Sequence, residues 1–131
     1  MSVEAWMSGR LVSLSPDMDV LEAIATLLDN RISGAPVVDR LGRLVGMLSE
    51  VDCLKVALNA GYHGEWGGHV EEFMSREVTT VEAAASVLDV ARMFIDTGFR
   101  RFPVVKDERL VGQISRRDVL RALQSLRKEK P

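Results

Sequence analysis

The sequence predicts an α+β fold in which two βαββα repeats pack together. The chain has 131 residues, which suits one compact domain or two very small ones. Its second half repeats the residue pattern of its first half. In each half, an apolar pattern with helical spacing precedes two short apolar runs separated by a polar turn. One repeat alone has few residues with which to bury its apolar face, so the two repeats are expected to share a core.

The internal repeat is clear when the two halves are aligned. Residues 3–38 align with residues 70–105, and after the loss of one residue from a predicted turn, residues 43–57 align with residues 109–123. The aligned positions contain 17 identities in 51, and their clustering indicates duplication. The predicted domains are therefore a first repeat at residues 1–58, a glycine-rich linker at residues 59–69 and a second repeat at residues 70–131.

The first part of each repeat is predicted to be an extended segment followed by a helix. The extended segments lie at residues 11–14 and 78–81. The helices are predicted because apolar residues recur with helical spacing, at Val20, Leu21, Ile24, Leu27 and Leu28 and again at Val87, Leu88, Ala91, Phe94 and Ile95. Capping boxes are predicted at the two helix starts, from Asp19-x-x-Glu22 and Ser86-x-x-Asp89.

The second part of each repeat is predicted to be a β-hairpin followed by a helix. Two short apolar runs on either side of a polar turn indicate antiparallel strands. The first strands contain Pro-Val-Val at residues 36–38 and 103–105, and the second strands lie at residues 44–48 and 110–114. The last helices are predicted at residues 49–58 and 115–126.

Ser49-x-x-Asp52 and Ser115-x-x-Asp118 stand at the starts of these last helices. A serine at this position accepts a hydrogen bond from a backbone N–H group, and an acid on the first turn suits the positive end of the helix. Both motifs therefore predict helix caps, whatever further role they have.

Composition and charge limit the classes of function. The formal net charge is −2, which disfavours nucleic-acid binding and a role at a membrane surface. No apolar run approaches the ~18–20 residues that cross a bilayer. The single cysteine, Cys53, cannot form a disulfide within the chain, and by itself makes no metal site. The simplest interpretation is a cytoplasmic protein.

The repeated pattern of an amphipathic helix, Pro-Val-Val, a turn, Leu-Val-Gly and Ser-x-x-Asp resembles the cystathionine β-synthase (CBS) domain, and two such repeats in tandem resemble a Bateman module. The resemblance covers residues 3–126. It implies a pair of βαββα repeats packed with approximate two-fold symmetry, with clefts between them that often bind AMP, ADP, ATP or S-adenosylmethionine. It also implies that two copies of the chain form a homodimer.

The resemblance implies a ligand site in the second repeat. Asp118 is expected to accept hydrogen bonds from ribose hydroxyl groups, and Ser115 to approach a phosphate at the helix N-terminus. Arg100 and Arg101 directly precede the Pro-Val-Val strand, where basic residues of the family meet phosphates, and a guanidinium binds phosphate through paired hydrogen bonds. The full set for this repeat is Thr80, Arg100, Arg101, Phe102, Pro103, Ser115, Arg116 and Asp118.

A second, weaker site is implied in the first repeat, by Ser13, Gly34, Ala35, Pro36, Ser49 and Asp52. Gly34 and Ala35 leave space for an adenine base. Glu50 stands where the second repeat has Arg116, and a glutamate repels a phosphate. The family arrangement leaves two alternatives open, because Arg100 and Arg101 can serve a ligand whose ribose is held by Asp118 or one held by Asp52.

We expect a stand-alone regulatory module that binds an AMP-, ADP- or ATP-type ligand and acts on an unidentified protein. No phosphate-binding loop, acid–base pair or activated nucleophile is found, so we expect no enzymatic activity and no required cofactor. The glycines around His63, Glu65 and His69 disfavour a metal site. The alternatives are a ligand-free dimerisation module and a binder of S-adenosylmethionine.

Overall fold

The computed structural model describes residues 1–129, so the predicted end of the second repeat, at Lys130 and Pro131, lies outside the described residues. The chain divides into two compact units. The first-repeat unit is the continuous segment Val12–Val78. The second-repeat unit combines Met1–Leu11 with the chain from Thr79 onward. Residues 1–11, which the sequence alignment groups with the first repeat, therefore belong to the unit of the second.

The first-repeat unit contains a two-stranded antiparallel sheet and three helices. In chain order its elements are α1 (Val20–Asp29), β1 (Gly34–Val38), β2 (Leu44–Ser49), α2 (Glu50–His63) and α3 (Val70–Phe73). Leu14 adds a single parallel bridge to Val37 of β1. The unit has its own buried core, to which α1 contributes Val20, Ala23 and Leu27.

The second-repeat unit contains a three-stranded sheet in the order β3-β4-β5. Strand β3 is parallel to β4, and β4 is antiparallel to β5. After a short 3-10 helix at Val3–Ala5, its elements are β3 (Val81–Glu82), α4 (Val87–Thr97), β4 (Arg101–Lys106), β5 (Arg109–Ser115) and α5 (Arg116–Glu129). The α+β class and the predicted order of helices and hairpins are thereby confirmed.

The predicted extended segments are shorter than the sequence indicated. Within residues 11–14 only Leu14 pairs with a strand, since it donates to the Pro36 carbonyl and accepts from the Val38 amide, both at 2.9 Å. Within residues 78–81 only Val81 lies in β3. In both segments the pairing begins at the buried residue, Leu14 or Val81.

The last helices are longer than predicted. Helix α2 continues to His63, five residues beyond the predicted end, and Gly64 ends it with a left-handed φ of 68°. The predicted glycine-rich linker therefore begins as helix, because Gly61 does not break it. Helix α5 continues to Glu129, beyond the predicted end at residue 126.

Each sheet is completed by a segment that lies far from it in the chain. Ser8 exchanges two backbone hydrogen bonds with Gln113 of β5, each 2.9 Å long, within the second-repeat unit. Ser75 makes the same pair of 2.9 Å bonds with Met47 of β2, within the first-repeat unit. The serines of the repeated Met-Ser pairs, at residues 7–8 and 74–75, thus pair with an edge strand of each sheet.

The predicted apolar faces of α1 and α4 are only partly buried. Helix α4 buries Val87, Val90 and Phe94 against its sheet. Four apolar side chains from the predicted faces stay exposed, namely Leu21 and Leu28 on α1 and Leu88 and Ile95 on α4. In each unit, the apolar face of this helix is therefore wider than the part of it that packs against the rest of the unit.

Candidate functional site

The candidate residues of the second repeat lie together at one end of the three-stranded sheet. Arg101, the first residue of β4, pairs with Ser115, the last residue of β5. The amide of Arg116 donates to the carbonyl of Arg100 at 3.1 Å, which ties the first turn of α5 to the approach to β4. Thr80 reaches the same end, because the next residue begins the parallel strand β3.

The Ser115-x-x-Asp118 motif forms the predicted cap. The Ser115 amide donates to Oδ2 of Asp118 at 2.8 Å, and the Asp118 amide donates to Oγ of Ser115 at 3.2 Å. The other carboxylate oxygen, Oδ1, forms an ion pair with Arg121 one turn further along α5. Asp118 is only 5% exposed, so the cap holds a negative charge just below the surface.

The three candidate arginines differ in what they contact. Arg116 donates from Nε to the carbonyl of Phe99 at 2.8 Å and from its terminal nitrogen to the carbonyl of Gly98 at 2.6 Å. Its guanidinium is thus bonded to the chain that follows α4. Arg100 and Arg101 are exposed, and neither forms an ion pair with a side chain of residues 1–127.

Phe102 and Pro103 are both buried in β4. The ring of Phe102 is fully buried and stacks on Phe94 with centroids 4.6 Å apart. Four successive residues of β4, from Phe102 to Val105, are buried, so both faces of this central strand are covered.

The first-repeat unit carries the same arrangement on its smaller sheet. Gly34 at the start of β1 pairs with Ser49 at the end of β2, and the Glu50 amide donates to the carbonyl of Ser33 at 2.9 Å. Ser13 directly precedes Leu14 and its bridge to β1, so it lies at the same end. The six candidates of this repeat are therefore also brought together.

The Ser49-x-x-Asp52 motif forms a complete capping box. Oδ2 of Asp52 accepts from the amide of Ser49 at 2.9 Å and from its hydroxyl at 3.0 Å, while the Asp52 amide donates to Oγ of Ser49 at 3.2 Å. Oδ1 of Asp52 accepts from Nζ of Lys55 at 3.3 Å. Asp52 is 8% exposed.

The first strand of this unit passes close to its neighbour at Gly34. A Cβ atom on Gly34 would lie 3.1 Å from the Leu48 carbonyl oxygen, which explains the glycine in structural terms. Ala35 and Pro36 are buried, so their side chains, like those of Phe102 and Pro103, lie in the interior. The open surface at this end consists of Ser13, Ser33 and the first turn of α2.

Cys53 is half-buried beside Asp52, and burial raises the pKa of its thiol, with the charges of Asp52 and Glu50 adding to the effect. The thiol is therefore protonated at neutral pH and is a weak nucleophile. Among the side chains of residues 1–127, no group of three or more His, Cys, Asp or Glu is placed to hold a metal ion. Within the same range, no helix is long and apolar enough to cross a membrane.

Sequence reasoning missed Lys55 and Arg121, which contact the two candidate carboxylates directly. Each lies three residues after its aspartate on a helix, a spacing that brings side chains together. They also occupy matching positions of the two repeats. These two signals were available in the sequence.

Comparison with known proteins gives consistent matches. A sequence model of the CBS domain matches residues 3–59 and 70–125. The uncharacterized protein MJ1225 of Methanocaldococcus jannaschii is 32% identical over 119 residues, which are 91% of this chain and 41% of that protein. The chain thus spans less than half the length of this relative.

Two solved structures are similar over nearly the whole chain. The crystal structure of CBSX2 in complex with AMP is 29% identical, has a TM-score of 0.80, and covers 96% of this chain and 98% of that one. CBSX2 is a CBS-pair protein from Arabidopsis thaliana. The CBS domain pair of protein MJ0100, in complex with 5′-methylthioadenosine and S-adenosyl-L-methionine, is 27% identical, has a TM-score of 0.72, and covers 96% and 98%.

Proposed function

Because the chain belongs to the CBS domain family and carries two copies of that domain, as its internal repeat indicated, we propose that it is a regulatory module that binds an adenosine-containing ligand. Similar CBS pairs have been solved with AMP in one case and with 5′-methylthioadenosine and S-adenosyl-L-methionine in another. All three ligands contain adenosine, so the ribose and the adenine are the parts that a shared site can recognise.

One observation in this chain carries the proposal. Each unit places a nearly buried carboxylate, Asp52 or Asp118, on the first turn of a helix at the open end of its sheet. In each carboxylate, Oδ2 accepts the hydrogen bond of the helix cap, while Oδ1 takes no part in the cap. A ribose hydroxyl can donate to Oδ1 without disturbing the cap, and a charge-assisted bond of this type is stronger than a neutral one.

The second-repeat unit adds positive charge to this arrangement. Arg100 and Arg101 are exposed at the start of β4, where the first-repeat unit has Ser33 and Gly34. We propose that the two arginines bind the phosphates of an AMP-, ADP- or ATP-type ligand, since an exposed guanidinium binds phosphate through paired hydrogen bonds. An S-adenosylmethionine-type ligand has no phosphate, so its binding would depend much less on these residues.

The proposed output is regulatory, and the chain is proposed to act on a separate protein in the cytoplasm rather than to catalyse a reaction. Ligand binding would favour one conformation of the chain over another and so change the surface offered to that protein. We also propose that two copies form a homodimer, which is supported by the exposed apolar side chains Leu21, Leu28, Leu88 and Ile95.

Thermal unfolding with AMP, ADP, ATP and S-adenosylmethionine tests the proposed function. A ligand at 100 times its Kd stabilises the native state by about 2.7 kcal/mol, which raises the Tm by several degrees. The rival hypothesis, a dimerisation module without a ligand, predicts no change in Tm with any of the four at millimolar concentration.

Variants then test the site. Asp118→Asn and Arg101→Ala should each reduce the AMP-induced rise in Tm, because they remove the ribose acceptor and a phosphate donor. Asp96→Asn is the matched control, since Asp96 is an exposed aspartate at the end of α4. If both site variants respond to AMP like the wild type, the proposed residues are wrong even where the ligand is right.

A further inference from the structure

We propose that Lys55 and Arg121 set the ligand affinity of the two units by competing with the ribose for the carboxylates of Asp52 and Asp118. The inference rests on the proposed function, because it concerns the same carboxylates. It assigns a role to Lys55 and Arg121, which contact the two carboxylates but are not required for the ribose to bind them.

The competition follows from how the carboxylate oxygens are used. In the second-repeat unit, Oδ2 of Asp118 accepts from the Ser115 amide, and Oδ1 is paired with Arg121. In the first-repeat unit, Oδ2 of Asp52 accepts both hydrogen bonds from Ser49, and Oδ1 is paired with Lys55. In both units, Oδ1, the carboxylate oxygen that the helix cap does not use, is already paired with a cation.

A ribose brings two neighbouring hydroxyl groups, each of which can donate a hydrogen bond. A carboxylate oxygen has two acceptor positions, so a cation on Oδ1 leaves one of them for the two hydroxyls. Oδ2 of Asp52 already accepts two bonds, so both hydroxyls can bind Asp52 only after Lys55 moves away. Oδ2 of Asp118 accepts one bond, so Arg121 competes with the ribose for Oδ1 alone. The side chains of Lys55 and Arg121 are mostly exposed, so each can return to solvent while the aspartate stays in place.

The two ion pairs are not equally strong. The Lys55–Asp52 distance is 3.3 Å, longer than the roughly 2.7–2.9 Å of a strong charge-assisted bond. A guanidinium offers more donors than an ammonium group, so Arg121 competes more strongly for Oδ1 itself. Asp118, however, keeps one acceptor position on Oδ2, which Asp52 does not.

The repeat pattern supports a shared role for the two cations. Three residues after the aspartate, both repeats have a cation, Lys55 or Arg121. One and two residues before the aspartate, the repeats differ in charge, since Glu50 and Val51 match Arg116 and Arg117. The cation beside the carboxylate is thus common to both repeats, while the charges around it are not.

The test measures adenosine binding by isothermal titration calorimetry to the wild type, Arg121→Met and Lys55→Met. Adenosine has no phosphate, so removal of a positive charge cannot weaken its binding through a lost phosphate contact. We expect adenosine to bind Arg121→Met about two- to five-fold more tightly, the equivalent of one exposed ion pair. We also expect Lys55→Met to bind adenosine more tightly, because Oδ2 of Asp52 has no acceptor position left.

Two controls isolate the cause. Arg127→Met removes the same charge from the same helix away from Asp118, and it should leave adenosine affinity unchanged. The ligand 2′,3′-dideoxyadenosine lacks both hydroxyls, so any affinity it has should be the same for the wild type and for Arg121→Met. In the wild type, added KCl should tighten adenosine binding, because salt weakens the competing ion pair. This last measurement needs no variant and stays decisive if Arg121→Met does not fold.

The outcomes separate the two proposals. If the wild type binds AMP or adenosine but neither Arg121→Met nor added salt tightens adenosine binding, the competition is overturned and the proposed function stands. An equal gain for the dideoxy ligand also overturns it. If neither the wild type nor the variants bind adenosine, AMP or S-adenosylmethionine, the proposed function fails, and the competition fails with it.

Discussion

Arg116 on the first turn of α5 donates from its Nε to the backbone carbonyl of Phe99, at 2.8 Å. The same guanidinium donates to the carbonyl of Gly98, the residue that ends α4 with a left-handed φ of 73°. The carbonyls at a helix C-terminus have no partners within the helix, and a cation there also suits the helix dipole. Arg116 thus links the end of α4 to the start of α5, whatever it contributes to a phosphate.

Arg116→Met should lower the free energy of unfolding by about 1 kcal/mol, since it removes two charge-assisted hydrogen bonds at an exposed position. Urea denaturation measures the change. Arg117→Met is the control, because Arg117 is the exposed next residue and makes no side-chain hydrogen bond within the described part of the chain. If Arg116→Met also weakens AMP binding but not adenosine binding, Arg116 contacts phosphate as well. A stability equal to that of the Arg117 variant would contradict its structural role.

Gly112→Ala should destabilise the protein by about 1–3 kcal/mol through overpacking. A Cβ atom there would lie 2.6 Å from the Met7 sulfur and 2.7 Å from the Ser8 carbonyl oxygen, and that carbonyl is fixed by its hydrogen bond to Gln113. Gly61→Ala is the matched control. It lies in α2 with nothing within 4 Å of the new atom, so it should raise stability by about 1 kcal/mol. Gly112 is the glycine of the repeated Leu-Val-Gly motif. If both substitutions change the free energy of unfolding in urea equally, close packing does not explain this glycine.

Asp39 should make stability depend on acid pH. Its pKa is lowered, mainly because the Arg43 amide donates to the carboxylate. Desolvation opposes this effect, and the Arg43 guanidinium and the Leu41 amide lower the pKa further. Since the pKa in the folded state is below the unfolded value of about 3.9, the charged form stabilises the fold above that pH. This stabilisation is lost as the pH falls through the lower, folded pKa.

Asp39→Asn should therefore lower the Tm at neutral pH, and the difference from the wild type should shrink as the pH falls below about 4. Arg43→Met keeps the backbone donors to Asp39 and removes only the guanidinium. Its Tm should therefore differ less from that of the wild type than the Tm of Asp39→Asn does, and this difference should also shrink as the pH falls. Melting curves at several pH values provide the measurement. A difference that stays constant between neutral and strongly acidic pH would contradict the prediction.

The exposed apolar side chains on α1 and α4 predict self-association. Leu28 is 72% exposed and Ile95 is 83% exposed, and the two occupy matching positions in the two repeats. The double variant Leu28→Glu/Ile95→Glu should be a monomer by light scattering, while the wild type should have twice the mass of one chain. Leu41→Glu is the control, because Leu41 is an exposed leucine in the turn after β1. A wild type that is monomeric at high concentration would overturn the proposed dimer.

Local patterns allowed much of the fold to be predicted. The capping boxes of Ser49–Asp52 and Ser115–Asp118 depend on residues three apart on one helix, so they follow from sequence spacing alone. The two hairpins follow from short apolar runs around a polar turn. At the start of the first helices, Asp19 and Ser86 accept bonds from the amides of Leu21 and Leu88, so caps form at the predicted residues. The predicted boxes are incomplete, because the hydrogen bonds of the described residues include none from either cap amide back to Glu22 or Asp89.

The site was predicted less completely, because its details depend on contacts between distant residues. The bonds from Arg116 to Gly98 and Phe99 span about one-seventh of the chain, and no local pattern indicates them. The ring of Phe102 is buried against Phe94 of another element, a contact that no local pattern indicates.

By itself the sequence determined the duplication, the order of the elements and the type of residue at each site position. Duplication and periodicity are properties of the chain that do not change when it folds. Only the tertiary structure decided that Val3–Ser8 pairs with the second-repeat sheet and that Val70–Ser75 pairs with the first. It also decided that Arg116 and Arg121 already have partners, since hydrogen bonds and ion pairs depend on distances that exist only in the folded chain.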